Sequence, residues 1–297
     1  MSEFISDHIR ITLSLLAQKT LENDCILFGA SANCNLTYGT LINRILENFD
    51  DDFVLDENLI KLKYEESSST IRLRNNVIDI LGDVNVKTYL KNTPSPNIRK
   101  YVKSLLETFA RLPFIEREKL ILKKDIIEQI DAALKNQKKL ELLYTGKNHS
   151  LAPICIATSK EGTFQYLIGE ENASLVSFRL SRIEKIRVKG KAPVLSEHDK
   201  YKILEDLSKF GATFITEPVT TIKVKFTDKG SKSYEYSVIH RPIHVAKEDD
   251  NIYVFHCSER QALYFFFRFA GDAEIIEPQS LRDKFRDMYR TGLSSYT

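Results

Sequence analysis

Apolar and polar positions alternate in short runs between Lys139 and Lys189, and the rest of the chain is arranged around that stretch. Leu140-Glu141-Leu142-Leu143-Tyr144 is followed by a turn at Thr145-Gly146-Lys147-Asn148, then by Leu151–Ile156, Phe164–Gly169, Leu175–Leu180 and Ser181–Val188. β-branched and aromatic runs separated by Gly- and Asn-bearing turns predict a small antiparallel sheet or barrel. Nearer the start, His8-Ile9-Arg10-Ile11-Thr12-Leu13 alternates as a short strand. Two helical patterns follow it. Leu15, Leu16, Thr20, Leu21, Ile26 and Leu27 carry the first; Leu41, Ile42, Ile45, Leu46 and Phe49 carry the second, with Thr37 as its N-cap. A lone short strand cannot satisfy its own edges, so this strand needs a partner strand.

The segment from Asp50 to Pro96 carries weaker signals. Leu59–Tyr64 and Thr70–Arg74 predict a hairpin around Glu66-Ser67-Ser68-Ser69, and Thr93-Pro94-Ser95-Pro96 marks an interdomain break. From Asn97 to Gln137 the pattern is helical, with Tyr101, Leu105 and Phe109 spaced by four and Ile121, Ile126, Ile127 and Ile130 continuing the stripe past Pro113. Beyond the sheet, Glu197–Phe210 predicts a helix stopped by Gly211, and Thr220–Phe226 a strand. Tyr234–Ile239 and Asn251–His256 predict two more strands, Ser258–Phe269 a helix, and Leu281, Phe285 and Met288 the packing stripe of a last one. The domain plan is 1–52, 53–96, 97–137, 138–192 and 193–297, in an α+β chain.

Composition excludes several classes. The 42% apolar and 28% charged content is that of a soluble protein, and no apolar run approaches the ~20 residues that span a bilayer. Met1-Ser2-Glu3-Phe4 lacks the basic and apolar regions of a secretory signal, so a cytoplasmic protein without membrane contact is expected. Cys25, Cys34, Cys155 and Cys257 lie far apart, which predicts free thiols rather than a zinc knuckle or disulfide framework. Net charge is +2 but unevenly spread: residues 1–55 hold 3 Lys/Arg against 8 Asp/Glu, residues 135–191 hold 11 against 5. Such a basic segment is the footprint of a polyanion site.

No phosphate-binding glycine loop, H-E-x-x-H or G-x-S-x-G occurs, so no enzyme is expected. His240 and His244 have ligand spacing for a helix, but Arg241-Pro242 between them breaks one; neither metal nor cofactor is expected.

Gln165-Tyr166-Leu167, Phe178-Arg179-Leu180-Ser181-Arg182-Ile183, Tyr144 and Pro153 together resemble the WYL domain, an SH3-like β-barrel module of bacterial regulators. The N-terminal strand, helix and helix resemble the ribbon-helix-helix module, in which two chains pair their strands. Leu112–Glu118 resembles the linker that precedes some WYL domains, and the close of the chain resembles their ferredoxin-like C-terminal extension. The resemblance implies a pocket for nucleic acid or a nucleotide-like ligand built from Tyr144, His149, Tyr166, Arg179 and Arg182, to which the basic residues Lys185, Arg187 and Lys189 are neighbours. Gln165, Val176 and His149 depart from the family pattern, where tryptophan and two basic residues are usual.

Carried onto the N-terminal module, the family's role gives a DNA-reading strand with Arg10 and Thr12, and His8 beside them; the net −5 of that segment opposes it. The domain order resembles the accessory proteins encoded beside type VI-D CRISPR effectors. It implies a homodimer that binds single-stranded RNA and modulates an RNA-guided RNA nuclease. The alternative is a ligand-responsive regulator that binds duplex DNA.

Overall fold

The computed structural model describes residues 6–29, 36–49, 55–62, 68–122, 124–248 and 251–296. In chain order its elements are β1 (His8–Thr12), α1 (Leu15–Gly29), α2 (Tyr38–Asn48), a 3-10 turn (Glu57–Lys61), β2 (Ser68–Arg72), α3 (Asn75–Asp83), α4 (Val86–Tyr89), α5 (Ile98–Phe109), α6 (Phe114–Ile121) and α7 (Lys124–Lys135). Then come β3 (Lys138–Tyr144), β4 (Lys147–Thr158), β5 (Gln165–Glu171), β6 (Ser174–Arg179), β7 (Ile183–Lys191), α8 (Glu197–Phe210), β8 (Val219–Phe226), α9 (Asp228–Tyr236), β9 (His244–Glu248), β10 (Ile252–Ser258), α10 (Glu259–Phe266), β11 (Ala273–Glu277) and α11 (Gln279–Ser294). The chain is α+β with three antiparallel sheets. It divides into two compact units: 1–153 with 178–192, and 154–177 with 193–297. The segment 138–192, expected as one domain, is shared between them.

In the first unit β1 pairs antiparallel with β2 of the same chain, His8 opposite Arg72 and Arg10 opposite Thr70. This corrects two expectations. The strand that was to require a second chain has its partner within its own chain, and the hairpin of residues 59–74 does not form. Leu59 and Ile60 lie in the 3-10 turn, while Leu62 caps it. Tyr64, Glu66 and Ser67 fall outside the described residues.

The reason for the pairing is a duplication. β2, α3 and α5 each begin 60 positions after β1, α1 and α2 (His8 and Ser68, Leu15 and Asn75, Tyr38 and Ile98), and the caps Thr37 and Asn97 keep the same offset. Side chains follow suit: Ile42 matches Val102, Ile45 Leu105, Leu46 Leu106, Glu47 Glu107 and Phe49 Phe109. Even the cross-contacts are reciprocal. Glu107 accepts from the Ser14 amide (2.5 Å) and hydroxyl (2.7 Å) at the start of α1, and Glu47 accepts from Arg74 (3.2 Å) and Asn76 (3.0 Å) at the start of α3. A strand edge is therefore satisfied by the second copy of the repeat.

α1 buries Ala17, Leu21, Asp24 and Phe28, whereas Leu15, Leu16, Ile26 and Leu27 are exposed, so the expected stripe is rotated. Asp24 explains this: its carboxylate receives Arg117 Nε (2.7 Å) and Nη2 (3.1 Å) from α6, and that pair turns its face of the helix inward. Further on, α7 packs against β3 and β7, whose Leu140, Leu142 and Ile186 are buried.

The five-stranded sheet has the order β6-β5-β4-β3-β7. In the second unit β8-α9-β9-β10-α10-β11 forms a four-stranded sheet in the order β11-β8-β10-β9. Tyr234–Ile239, expected as a strand, is not one. Tyr234 lies inside α9, because Thr227 caps that helix by accepting from the Gly230 amide (3.0 Å), and Tyr234 then points into the cluster of Phe226, Tyr253, Phe255 and Phe265. Gly230 has no room for a side chain: a Cβ there would lie 2.0 Å from the Asp272 carbonyl oxygen. Gly230→Ala is expected to destabilise this unit by 3 kcal/mol or more, about the upper end of overpacking costs, read as a lower denaturant midpoint at unchanged slope.

Candidate nucleic-acid interface

Strand alternation sorts the residues expected to form one pocket into separate places. On β3, residues directly opposite on a neighbouring strand share a face. Leu142 faces His149 on β4 and Ile186 on β7, which sets His149 on the apolar side of the sheet. There the rings of Tyr144, His149 and Phe178 form a cluster, with centroids 4.9 Å (Tyr144–Phe178), 4.7 Å (His149–Phe178) and 6.3 Å (Tyr144–His149) apart. Phe178 is buried; Tyr144 and His149 keep partial access to solvent.

The opposite side is charged. Leu143 faces Lys185 and Glu141 faces Arg187, and Lys189 reaches Glu141 at 3.4 Å. Lys185, Arg187 and Lys189 are all exposed. At about 3.3 Å per residue, the three cations stand roughly 7 Å apart along β7, an outer strand of the sheet. The Lys189–Glu141 pair is about half exposed on both sides, and such pairs contribute at most about 1 kcal/mol.

Arg179, expected to contact a ligand, is held inside the fold. It is 8% exposed, and its Nε donates to Ser181 Oγ (2.7 Å) and its Nη2 to the Leu27 carbonyl (3.2 Å) near the end of α1. Its guanidinium also lies 3.8 Å from the buried Glu118 carboxylate and over the Phe28 ring at 5.8 Å. A cation near a helix C-terminus is favoured by the helix dipole. Arg182, three residues on, differs. It is half-buried at the end of the turn Leu180–Arg182, and its enclosed Nε meets no acceptor among the described residues. Tyr166 lies on β5 in the second unit, where Thr213 Oγ1 donates to its hydroxyl at 3.4 Å.

A second polar surface lies on the β1–β2 ribbon. Ile9, Ile11 and Ile71 are buried, which leaves His8, Arg10 and Thr12 of β1 beside Ser68, Thr70 and Arg72 of β2 on the other face. Arg10 donates to Ser68 Oγ through Nε (3.1 Å) and Nη2 (2.9 Å). The Asp7 carboxyl is held below its ordinary pKa by the hydrogen bond with His8 Nδ1 at 2.8 Å. Sequence reasoning found the β1 half of this face and set Arg72 on a hairpin with residues 59–64 instead of beside β1; the 60-residue repeat is the signal that reveals the pairing.

The described thiols are held protonated by burial. Burial raises Cys25 to about 11, Cys257 to about 12, and Cys155 in the same direction; Cys34 lies outside the described residues. Among the described residues no three His, Cys, Asp or Glu are grouped to hold a metal ion, and no helix is long and apolar enough to cross a membrane.

No protein-family model and no curated protein sequence matches the chain. Among solved structures, a crystal structure of a CRISPR Cas-related protein shares its fold at a TM-score of 0.70 with 19% identity, covering 99% of this chain and 95% of the other. The proteasome accessory factor B/C of Arthrobacter aurescens aligns at a TM-score of 0.33 with 16% identity, over 79% of this chain and 38% of its own length.

Proposed function

We propose that this protein binds single-stranded RNA along the charged side of β7 and serves as an accessory factor to an RNA-guided RNA nuclease. In this reading the duplicated strand-helix-helix segment is a single-chain ribbon-helix-helix module. The five-stranded sheet is the WYL barrel, and the β-α-β-β-α-β unit is its ferredoxin-like extension. The observation that carries the reading is the exposed row Lys185, Arg187 and Lys189. Arg182 precedes it with a donor that meets no acceptor among the described residues, and its planar guanidinium suits a pair of phosphate oxygens. Tyr144 and His149, each partly exposed, lie on the other side of the sheet and take no part in this surface. The whole-chain fold likeness to a CRISPR Cas-related protein agrees with the accessory role.

The ribbon favours a second reading, because a two-stranded ribbon fits the major groove of duplex DNA and this one presents Arg10, Arg72 and four short polar side chains or His on a single face. The excess of carboxylates in residues 1–55 opposes it by repelling phosphates.

Titration of fluorescent single-stranded RNA and of duplex DNA at two salt concentrations separates the two. RNA is expected to bind more tightly, with affinity falling as salt rises. Arg187→Gln should reduce the slope of log affinity against log salt by about 0.7, the value of one phosphate contact on a single strand. Arg182→Ala should weaken binding roughly ten- to a hundredfold, and Arg10→Ala should leave RNA binding unchanged. Tight duplex binding that is lost in Arg10→Ala and Arg72→Ala, with no RNA binding, establishes the regulator reading instead.

A further inference from the structure

The second unit holds a cavity that neither nucleic-acid surface uses. It occupies about 500 Å³ between β11 and α11, within the range of small-molecule sites. Ala273, Ile275 and Phe285 make an apolar floor; all three are buried. Tyr289 also lines it; its ring stacks on Phe267 at 4.8 Å and its hydroxyl donates to the Phe267 carbonyl (3.0 Å). The opening turn holds Ala270 at φ 49°, a left-handed conformation that costs a residue with a Cβ about 1–3 kcal/mol. Beside it, a Cβ on Gly271 would meet nothing within 4 Å.

The polar groups are few and sit on two elements. Arg282 and Arg286 project from successive turns of α11, and Glu274 projects from β11 to form an ion pair with Arg282. The partners of Arg286 are Asp283 (2.7 Å) and Asp287 (3.4 Å), neither of which lines the cavity. The lining itself therefore holds two guanidinium groups against one carboxylate. Both members of the Arg282–Glu274 pair are about half exposed, so this is a weak surface pair that another anion can replace.

We propose that this cavity binds a small amphipathic acid, a molecule with an apolar ring body and a single carboxylate, sulfonate or phosphate group. The ring body lies on Ile275 and Phe285. The acid group takes the place of Glu274 on Arg282, with Arg286 one turn along the helix. The site is independent of RNA binding on β7, and its test does not involve RNA.

Two fluorescent probes distinguish the parts of the proposal: 8-anilinonaphthalene-1-sulfonate, which has the ring body and the anion, and N-phenyl-1-naphthylamine, which has the ring body alone. The sulfonate is expected to bind the full-length protein at one site per chain and more tightly than the neutral probe. Arg282→Gln should weaken the sulfonate roughly tenfold and spare the neutral probe. Glu274→Gln should tighten the sulfonate several-fold, because it removes the competing carboxylate. Gly271→Phe fills the open space and should abolish both signals with an unchanged melting temperature. Equal affinity for the two probes, or sulfonate binding that persists in both Arg282→Gln and Gly271→Phe, overturns the proposal. A Glu274→Gln protein that binds the sulfonate more weakly also overturns it.

Discussion

Arg117→Ala is expected to lower the melting temperature by roughly 10 °C. Asp24 is fully buried in α1, and Arg117 is its bidentate partner at 2.7 and 3.1 Å while also donating to the Leu112 carbonyl at 2.9 Å. Removing the arginine strands a buried carboxylate, which typically costs about 3–5 kcal/mol. The pH dependence identifies the cause. Burial raises the Asp24 pKa above its ordinary 3.8, against the opposing effect of Arg117. A raised folded-state pKa means the native state takes up the proton more readily than the unfolded chain. The stability so gained is full below the ordinary carboxylate pKa and is lost as pH rises through the folded value. Without Arg117 the folded value rises further. The gap between variant and wild type should thus be wide at pH 8 and narrow toward pH 4.5. Thermal melts at the two pH values check this, and a gap independent of pH would assign the loss to packing of the Arg117 side chain over Phe114 instead.

Deleting residues 1–52 is expected to unfold what remains of the first unit, not to yield a well-behaved fragment. The deletion removes β1, α1 and α2, so β2 loses its only strand partner among the described residues. α5, whose Val102, Leu105, Leu106 and Phe109 are now buried, then loses its packing against β1, α1 and α2. At about 2 kcal/mol per large apolar side chain uncovered, even a few such losses are a large fraction of the stability of a typical domain. Glu107 would also lose its two bonds from Ser14. Sedimentation should report aggregation, and circular dichroism a loss of helix beyond the 52 residues removed. A soluble, cooperatively melting fragment would show that β2 and α5 do not depend on the first repeat. A ribbon completed within one chain also needs no second copy for its hydrogen bonds, whatever the oligomeric state of the full protein.

Local chemistry determined much of this chain. Gly211 ends α8 as expected, taking φ 75°, and Ser196 caps its start. Thr37 caps α2, and the stripe Leu41, Ile42, Ile45 and Leu46 is buried. Period and capping are properties of neighbouring residues, so a helix with both signals is legible before it packs. The same holds for β1 and β8, where alternation over five or more residues selects one face.

What the tertiary structure decided are the long-range choices among locally equal options. Tyr234-Glu235-Tyr236-Ser237-Val238-Ile239 alternates as well as any strand, yet only Tyr234 is buried; Tyr236 is 85% and Val238 79% exposed, and the aromatic cluster around Tyr234 selects the helix. Residues 68–74 carry a strand pattern with no indication of whether residues 59–64 or 8–12 supply the partner; the register of a 60-residue duplication settles it. Arg179 and Arg187 are equal as cations in the sequence. The fold places the first against Leu27 and Glu118 and leaves the second on the exposed side of β7. Charge and periodicity are written in the chain, but which cation is consumed by packing and which remains for a ligand depends on contacts made across 60 to 150 positions, and only the folded chain holds those.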